Sequence, residues 1–263
     1  MIHRPLRALL SGLLAAVALA GGGVVAGGGQ VARAAAACAA DATAPGHRGR
    51  PSGDPVPVRR ADGRVEQFQL FYDDPAPGSY LPFVWHRAQQ EPGGAYGEWE
   101  RVSATPVGPK LYQVTAIENA LGRMEVFFPS LGVFCHTAEG AGTDGWGPTE
   151  GFGLAPSPYH GGIVVFREAG GRLDAFASAG GTDAMQTRTQ DPATGRWGPV
   201  AGLGALPDPF AGLSQPSSVA QLPDGRLHLV VREWNRDRFW QVTERAHLES
   251  WEPWQLCADS RCA

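Results

Sequence analysis

The chain has one lysine, Lys110, three methionines, and charged residues at only 18% of its positions. Long exposed helices and coiled coils draw heavily on Lys, Glu and Met, so their scarcity points away from a helical protein. Long apolar runs are missing too. The stretch from Ala8 to Ala20 is broken by Gly21-Gly22-Gly23, short of the roughly 20 residues a membrane span requires. Although the sequence holds four cysteines and seven histidines, it has no Cys-x-x-Cys pair and no His-x-x-x-His, so no metal site is expected. It also lacks a Gly-x-x-x-x-Gly-Lys phosphate loop, and no cofactor is expected. A formal charge of -4 excludes the basic face of a nucleic-acid binder.

Glycine and proline are plentiful, with 36 and 22 copies in 263 residues. This composition describes a turn-dense, all-β domain. The first residues read as an address rather than as fold. His3, Arg4 and Arg7 precede the apolar run, and small residues follow, as in a secretory signal peptide cut after Ala34. Cleavage after Ala36 or Ala37 fits nearly as well. A lipoprotein would instead use Cys38 as its lipidated residue, since Ala35-Ala36-Ala37-Cys38 loosely resembles a lipobox, but Gln30 and Arg33 lie between it and the apolar run. Removing residues 1–34 takes away three arginines and no acidic residue, leaving a more acidic chain. The expectation is a secreted, extracellular protein with no membrane span.

Export makes disulfides expected. Cys257 and Cys262 flank a short loop, and Cys38 could reach either of them and tie the chain ends together. Cys135, within Val133-Phe134-Cys135, reads as a buried free thiol.

Internal repetition decides the architecture. Gly-Arg pairs at Gly63-Arg64, Gly122-Arg123, Gly171-Arg172 and Gly225-Arg226 each open a β-rich run ending at Phe68, Phe127, Phe176 or Val230. The closing tryptophans Trp99, Trp146, Trp197 and Trp251 are spaced by 47, 51 and 54 residues, a propeller period. Apolar stretches such as Val114–Ile117 and Ile163–Phe166 precede the Gly-Arg turns and supply an inner strand. Asp62-Gly63, Gly170-Gly171 and Asp224-Gly225 suggest two-residue type I′ hairpins. A third strand carries Trp85-His86, Cys135-His136, Gln186-Thr187 and Trp240-Gln241, and the Trp segments make a short fourth. The expected fold is therefore an all-β, four-unit β-propeller of four-stranded antiparallel blades. A flexible segment, 35–54, precedes a propeller at 55–257, with blades near 55–105, 111–155, 160–206 and 214–257 and a tail at 258–263. Within the second strands, Arg64 and Glu66, Arg123 and Glu125, and Arg172 and Asp174 read as charges paired with each other or with the adjacent turn, structural ion pairs that fix blade register.

The Gly-Arg-apolar-acidic-x-Phe strand, the following strand with His or Gln, and the Trp146-Gly147 and Trp197-Gly198 endings resemble the PLL-like (DUF346) β-propeller repeat family. That family includes bacterial fucose-binding lectins, and the resemblance covers roughly residues 55 to 257. The third-strand His is present as His86 and His136 and replaced by Thr187 and Gln241. The aromatic expected two residues on is replaced by Ala88, Ala138, Thr189 and Thr243. The resemblance implies a non-enzymatic lectin that binds a glycan or glycoconjugate at blade junctions. The candidate residues are Trp85, His86, Trp99, His136, Trp146, Trp197, Gln241 and Trp251, as aromatic faces for sugar C–H groups and polar groups for hydroxyls. Each tryptophan could instead be a wedge between blades. A protein-interaction scaffold is the alternative, using the loops at 72–78 and 203–213. A propeller glycoside hydrolase is a further alternative. No Gly-x-Ser-x-Gly elbow or His-Glu-x-x-His is present, so no enzyme is expected.

Overall fold

The computed structural model describes residues 38, 48–73, 82–108, 113–141, 145–154, 162–179, 185–208, 211–234, 236–246, 250–258 and 262. The expected signal peptide lies outside the described residues. Among those described, no helix is long and apolar enough to cross a membrane.

Four antiparallel sheets form the four blades of a β-propeller. The first contains β1 (Arg48–Arg59), β2 (Val65–Asp73), β3 (Pro82–Ala88) and β4 (Glu100–Arg101). The second contains β5 (Thr115–Glu118), β6 (Met124–Ser130), β7 (Val133–Ala138) and β8 (Glu150–Gly151). The third is β9 (Ile163–Arg167), β10 (Leu173–Ser178), β11 (Met185–Thr189) and β12 (Ala201–Gly202). The fourth is β13 (Leu213–Gln221), β14 (Leu227–Glu233), β15 (Phe239–Ala246) and β16 (Ser250–Trp251), with β17 (Gln255–Leu256) also pairing β15. The strand β1 starts at Arg48, inside the 35–54 stretch that the sequence assigns to a flexible lead-in.

Every blade turns from its first to its second strand in the same way. Gly63, Gly122, Gly171 and Gly225 all have φ between 72 and 89°, which a Cβ would strain. The turns differ from the expected two-residue type. The Gly63 amide donates to the Arg60 carbonyl while the Arg60 amide donates to Arg64, which closes a three-residue loop with only its glycine left-handed. This geometry accommodates Leu121 and Asp62 at negative φ, where type I′ would not.

The middle strand of each inner blade is walled on both sides, so β6 and β10 are buried along their whole length. Three apolar clusters fill successive junctions. Phe68, Leu70 and Val84 meet Val126 and Phe128 between blades one and two. Phe127, Phe134 and Phe152 meet Ile163, Ala175 and Ala177 between two and three. Phe176 and Met185 meet Leu227, Leu229, Val231 and Trp240 between three and four. None of these clusters spans the fourth blade and the first. The inner strands follow the same sequence: β1 packs on β5, β5 on β9 and β9 on β13.

The cysteines correct one expectation. Cys135 is not a free thiol but is bonded to Cys38, with Cα atoms 5.6 Å apart, and Cys257 is bonded to Cys262. Both members of the first pair are fully buried in the cluster between blades one and two. The Thr105 hydroxyl donates to the Cys38 carbonyl at 3.2 Å, fixing the leader-proximal residue against the second blade rather than the chain's end. Two disulfides are compatible with an extracellular protein. Non-reducing peptide mapping is expected to recover a Cys38–Cys135 linked peptide, and Cys135→Ser is expected to lower unfolding stability by about 2–5 kcal/mol in urea titrations.

Candidate functional site

Equivalent positions in the repeats meet at the junctions, because alternate residues of a second strand face opposite neighbours. Glu66 and Phe68, Glu125 and Phe127, and Asp174 and Phe176 all face the following blade. His86, His136 and Thr187 pair directly with the three phenylalanines in register. The closing tryptophan of the next blade then arrives edge-on.

At the first junction Phe68 stacks on His86 with centroids 5.8 Å apart. Trp146 meets His86 at 5.0 Å and Phe68 at 5.9 Å, both edge to face. Arg60 bridges Glu66 of its own blade and Glu139 of the next, and it also donates to the Gly122 carbonyl at 3.1 Å. Burial works to raise the Glu66 carboxyl, but His86 and Arg60 outweigh it and hold its pKa below the ordinary value. The closest approach of His86 to Glu66 is 3.5 Å, through Nδ1, the outer limit of a hydrogen bond. Among the described residues, Glu66 Oε2 and both ring nitrogens of His86 are consequently buried without a hydrogen-bond partner. Such groups are rare in folded proteins.

The second junction has the same rings, but its carboxylate is fully engaged, and the unpartnered atom there among the described residues is the amide oxygen of Gln190. Phe127 stacks on His136 at 4.8 Å and Trp197 stands perpendicular to Phe127 at 5.6 Å. Glu125 Oε1 accepts from Asn119 and Gln190, each at 2.6 Å. Its Oε2 is paired with His136 Nε2 and accepts from the Trp197 indole at 3.3 Å. Burial raises the Glu125 pKa, and the hydrogen bonds and charge of His136, with Gln190 and Asn119, reverse that to a net lowering.

At the third junction Trp251 stands edge-on to Phe176 at 6.1 Å. Arg172 lies between two acids, pairing with Glu168 and, at 3.1 Å, with Asp174. The Thr189 hydroxyl donates to Asp174 at 2.7 Å. Gln221 of the fourth blade donates to Glu168 at 3.4 Å and accepts from the Ala169 amide at 2.8 Å. Burial and the neighbouring Asp174 charge push Glu168 up to about 7, against the pull of Arg172. The hydroxyls of Thr187 and Ser178 are buried and unpartnered.

The structure thus brings His86 to Trp146, His136 to Trp197 and Trp251 to Phe176. It does not bring Trp85 and Trp99 to such a junction. Trp99 lies against Phe71 of its own blade at 5.0 Å, and Phe71 meets Trp85 at 6.2 Å. Gln241 pairs in register with Val230 on the face of blade four turned away from blade three. Of the two partners the sequence allows for Arg64, the structure takes the adjacent turn: Arg64 pairs with Asp62 at 2.8 Å at the surface, and Arg60 takes the Glu66 carboxylate. Sequence reading missed Arg60, Asn119 and Glu168. A polar residue three places ahead of the turn glycine in three of the four repeats was the signal available for them.

No protein-family model matches the chain, and no curated protein matches it in sequence. Among solved structures it is similar to a protein of unknown function from Dyadobacter fermentans, at 12% identity and TM-score 0.52 over 80% of this chain and 70% of that one. It is also similar to an α-L-arabinanase of Penicillium chrysogenum, at 15% identity and TM-score 0.46 over 77% and 66%. A third is the SapL1 lectin complexed with α-methyl fucoside, at 13% identity and TM-score 0.45 over 81% and 64%. The chain spans about two thirds of the length of the latter two. These likenesses concern the fold, and none confirms membership of the PLL-like repeat family. They correct the expectation of a non-enzyme. Other neighbours are named as a microbial sialidase, α-L-arabinofuranosidases and a GH43_1 enzyme, so the fold is compatible with an enzyme, and absent sequence motifs do not decide against catalysis.

The third junction generates a pH dependence. A folded-state pKa raised from the usual glutamate range to about 7 means the folded protein holds a proton that the unfolded chain releases. The stabilisation is full below about pH 4.5 and lost as pH rises through 7. The stability difference between wild type and Glu168→Gln, measured by urea unfolding at pH 5 and pH 8, is expected to move in favour of the variant at the higher pH.

Proposed function

We propose that this chain is an exported propeller that binds carbohydrate, and that the junction of its first two blades is the binding position. The observation that carries the reading is the unspent hydrogen-bonding capacity there. Glu66 Oε2, 3.5 Å from His86 Nδ1, and the two ring nitrogens of His86 have no hydrogen-bond partner among the described residues, and together they can both donate to and accept from a ligand. They sit beside the half-buried indole of Trp146. Vicinal hydroxyls of a saccharide both donate and accept, and its C–H face suits an aromatic wall. The exposed carboxylate of Glu100, 3.8 Å from His86 Nε2, marks the solvent side of this position. A ligand hydroxyl arriving there would satisfy groups that the fold leaves unpaired, which is a source of specificity as well as affinity.

The second junction supports the reading by contrast. Built from the same residue types, it has Glu125 saturated by its own neighbours, so it serves as structure. Binding is accordingly assigned to one junction rather than repeated around the ring.

A glycan array followed by calorimetry on the best ligand tests this. Saturable, sugar-competed binding is expected, weakened at least 10-fold by His86→Ala and little changed by Trp251→Phe. Silence across the array, or binding indifferent to His86→Ala, overturns the proposal, and capture of a protein partner without sugar competition would move the chain to the scaffold reading.

A further inference from the structure

The first blade has a second face, turned away from blade two, that none of the three apolar clusters covers. Its composition differs from every junction. Phe71, Trp85 and Trp99 form a contiguous aromatic floor, with centroids 6.2 Å apart for Phe71 and Trp85 and 5.0 Å apart for Phe71 and Trp99. Guanidinium groups lie on this floor. Arg87 is 4.6 Å from the Trp99 centroid and 4.7 Å from that of Tyr96, and Arg48 is 5.5 Å from that of Phe71. Arg101, whose backbone pairs with Trp85, lies 3.6 Å from the Phe83 centroid.

Two of these guanidiniums, those of Arg48 and Arg87, carry charge that the described residues do not neutralise. Neither Arg48 nor Arg87 forms an ion pair among the described residues. Arg87 instead holds the neutral Gln67 amide oxygen through two nitrogens, at 2.9 and 2.8 Å. Beneath them the Trp85 indole N–H, in a residue only 6% exposed, has no acceptor among the described residues. Guanidiniums stacked on rings and pre-aligned by an amide are ready to receive a carboxylate in forked geometry. The ring faces are already occupied by cations, so a neutral sugar would have to displace Arg87 to stack on Trp99.

We infer that this flank of the first blade binds a carboxylate-bearing saccharide, with Arg87 and Arg48 receiving the acid group. The inference rests on the carbohydrate reading of the chain but uses a different set of residues from the junction at His86. A saccharide is favoured over an acidic peptide because the unpaired Trp85 indole donor matches a hydroxyl set next to each carboxylate. The acidic total charge of the protein does not oppose this, since binding at short range follows the local field, and neither Arg48 nor Arg87 meets a carboxylate among the described residues.

Isothermal titration of the full chain with an α-1,4-linked oligogalacturonate, its methyl ester and a polyglutamate of equal charge provides the test. The free acid is expected to bind at least 10-fold tighter than the ester and the polyglutamate, to weaken as salt rises from 50 to 300 mM, and to lose at least 10-fold with Arg87→Met. His86→Ala is expected to leave it unchanged. Comparison of acid and ester on wild-type protein carries the result even if Arg87→Met folds poorly. Equal binding of acid and ester, or of acid and polyglutamate, overturns the inference, as does absence of binding by the acid. If a neutral glycan still binds through His86, the junction reading survives that loss. If the acid binds while His86→Ala affects no ligand, the flank stands and the junction reading falls.

Discussion

A carboxylate buried between two sheets sets the terms for the rest of this molecule. Taking an unpaired carboxylate out of water costs more than most single contacts return, so each blade that carries one on its second strand must find compensation nearby. Glu66, Glu125 and Asp174 find it at the junction with the next blade. The cross-blade components are Glu139 held through Arg60, the direct bonds of Gln190 and Trp197 to Glu125, and Gln221 held to the Asp174 cluster through Glu168. Apolar clusters supply the bulk of the cohesion, but apolar contact is tolerant of sliding. The directional bonds select one setting of blade against blade, and the rings that surround the carboxylate are placed by that setting.

Repetition of the frame lets its members diverge in how completely each acid is satisfied. Glu125 has four partners and is closed. Glu66 has a strong cation but leaves one oxygen and the adjacent imidazole idle. Asp174 shares one arginine with a second acid, Glu168, whose pKa is pushed up to about 7. The fourth repeat has Leu222 and His228 at the corresponding positions, and His228 bonds the Thr243 hydroxyl of its own blade at 2.9 Å. Function is best sought where compensation stops short, because a ligand that completes it gains what the fold has left open.

The fold was legible because its punctuation is repeated. Four Gly-Arg turns and four tryptophans at a steady period require no tertiary knowledge, and the left-handed glycines show why that residue recurs. The turn type was misread, since the dipeptide alone does not reveal that the loop has a third member, such as Ala61. The disulfide partner of Cys38 was out of reach for a related reason. Proximity of Cys135 comes from the packing of blade two on blade one, and sequence separation of 97 residues carries no trace of it. Among site residues, His86 and His136 were found through register, whereas Arg60, Asn119 and Glu168 differ in chemistry at one repeat position and so fell outside a pattern sought by identity. Trp85 and Trp99 were grouped with the junction residues by spacing, and their surroundings show that equal spacing does not give equal neighbours.

That last point extends to what a tryptophan does in this architecture. Trp146, Trp197 and Trp251 meet the preceding blade at interplanar angles of 76 to 90°. In such a T-shaped pair the positive rim of one ring approaches the negative face of the other favourably. Trp99 meets Phe71 of its own blade at 65°, and the guanidinium of Arg87 lies 4.6 Å from its centroid. The same side chain therefore reports its environment: three of the closing indoles are placed by the preceding blade, and the first is placed by a phenylalanine and an arginine of its own blade.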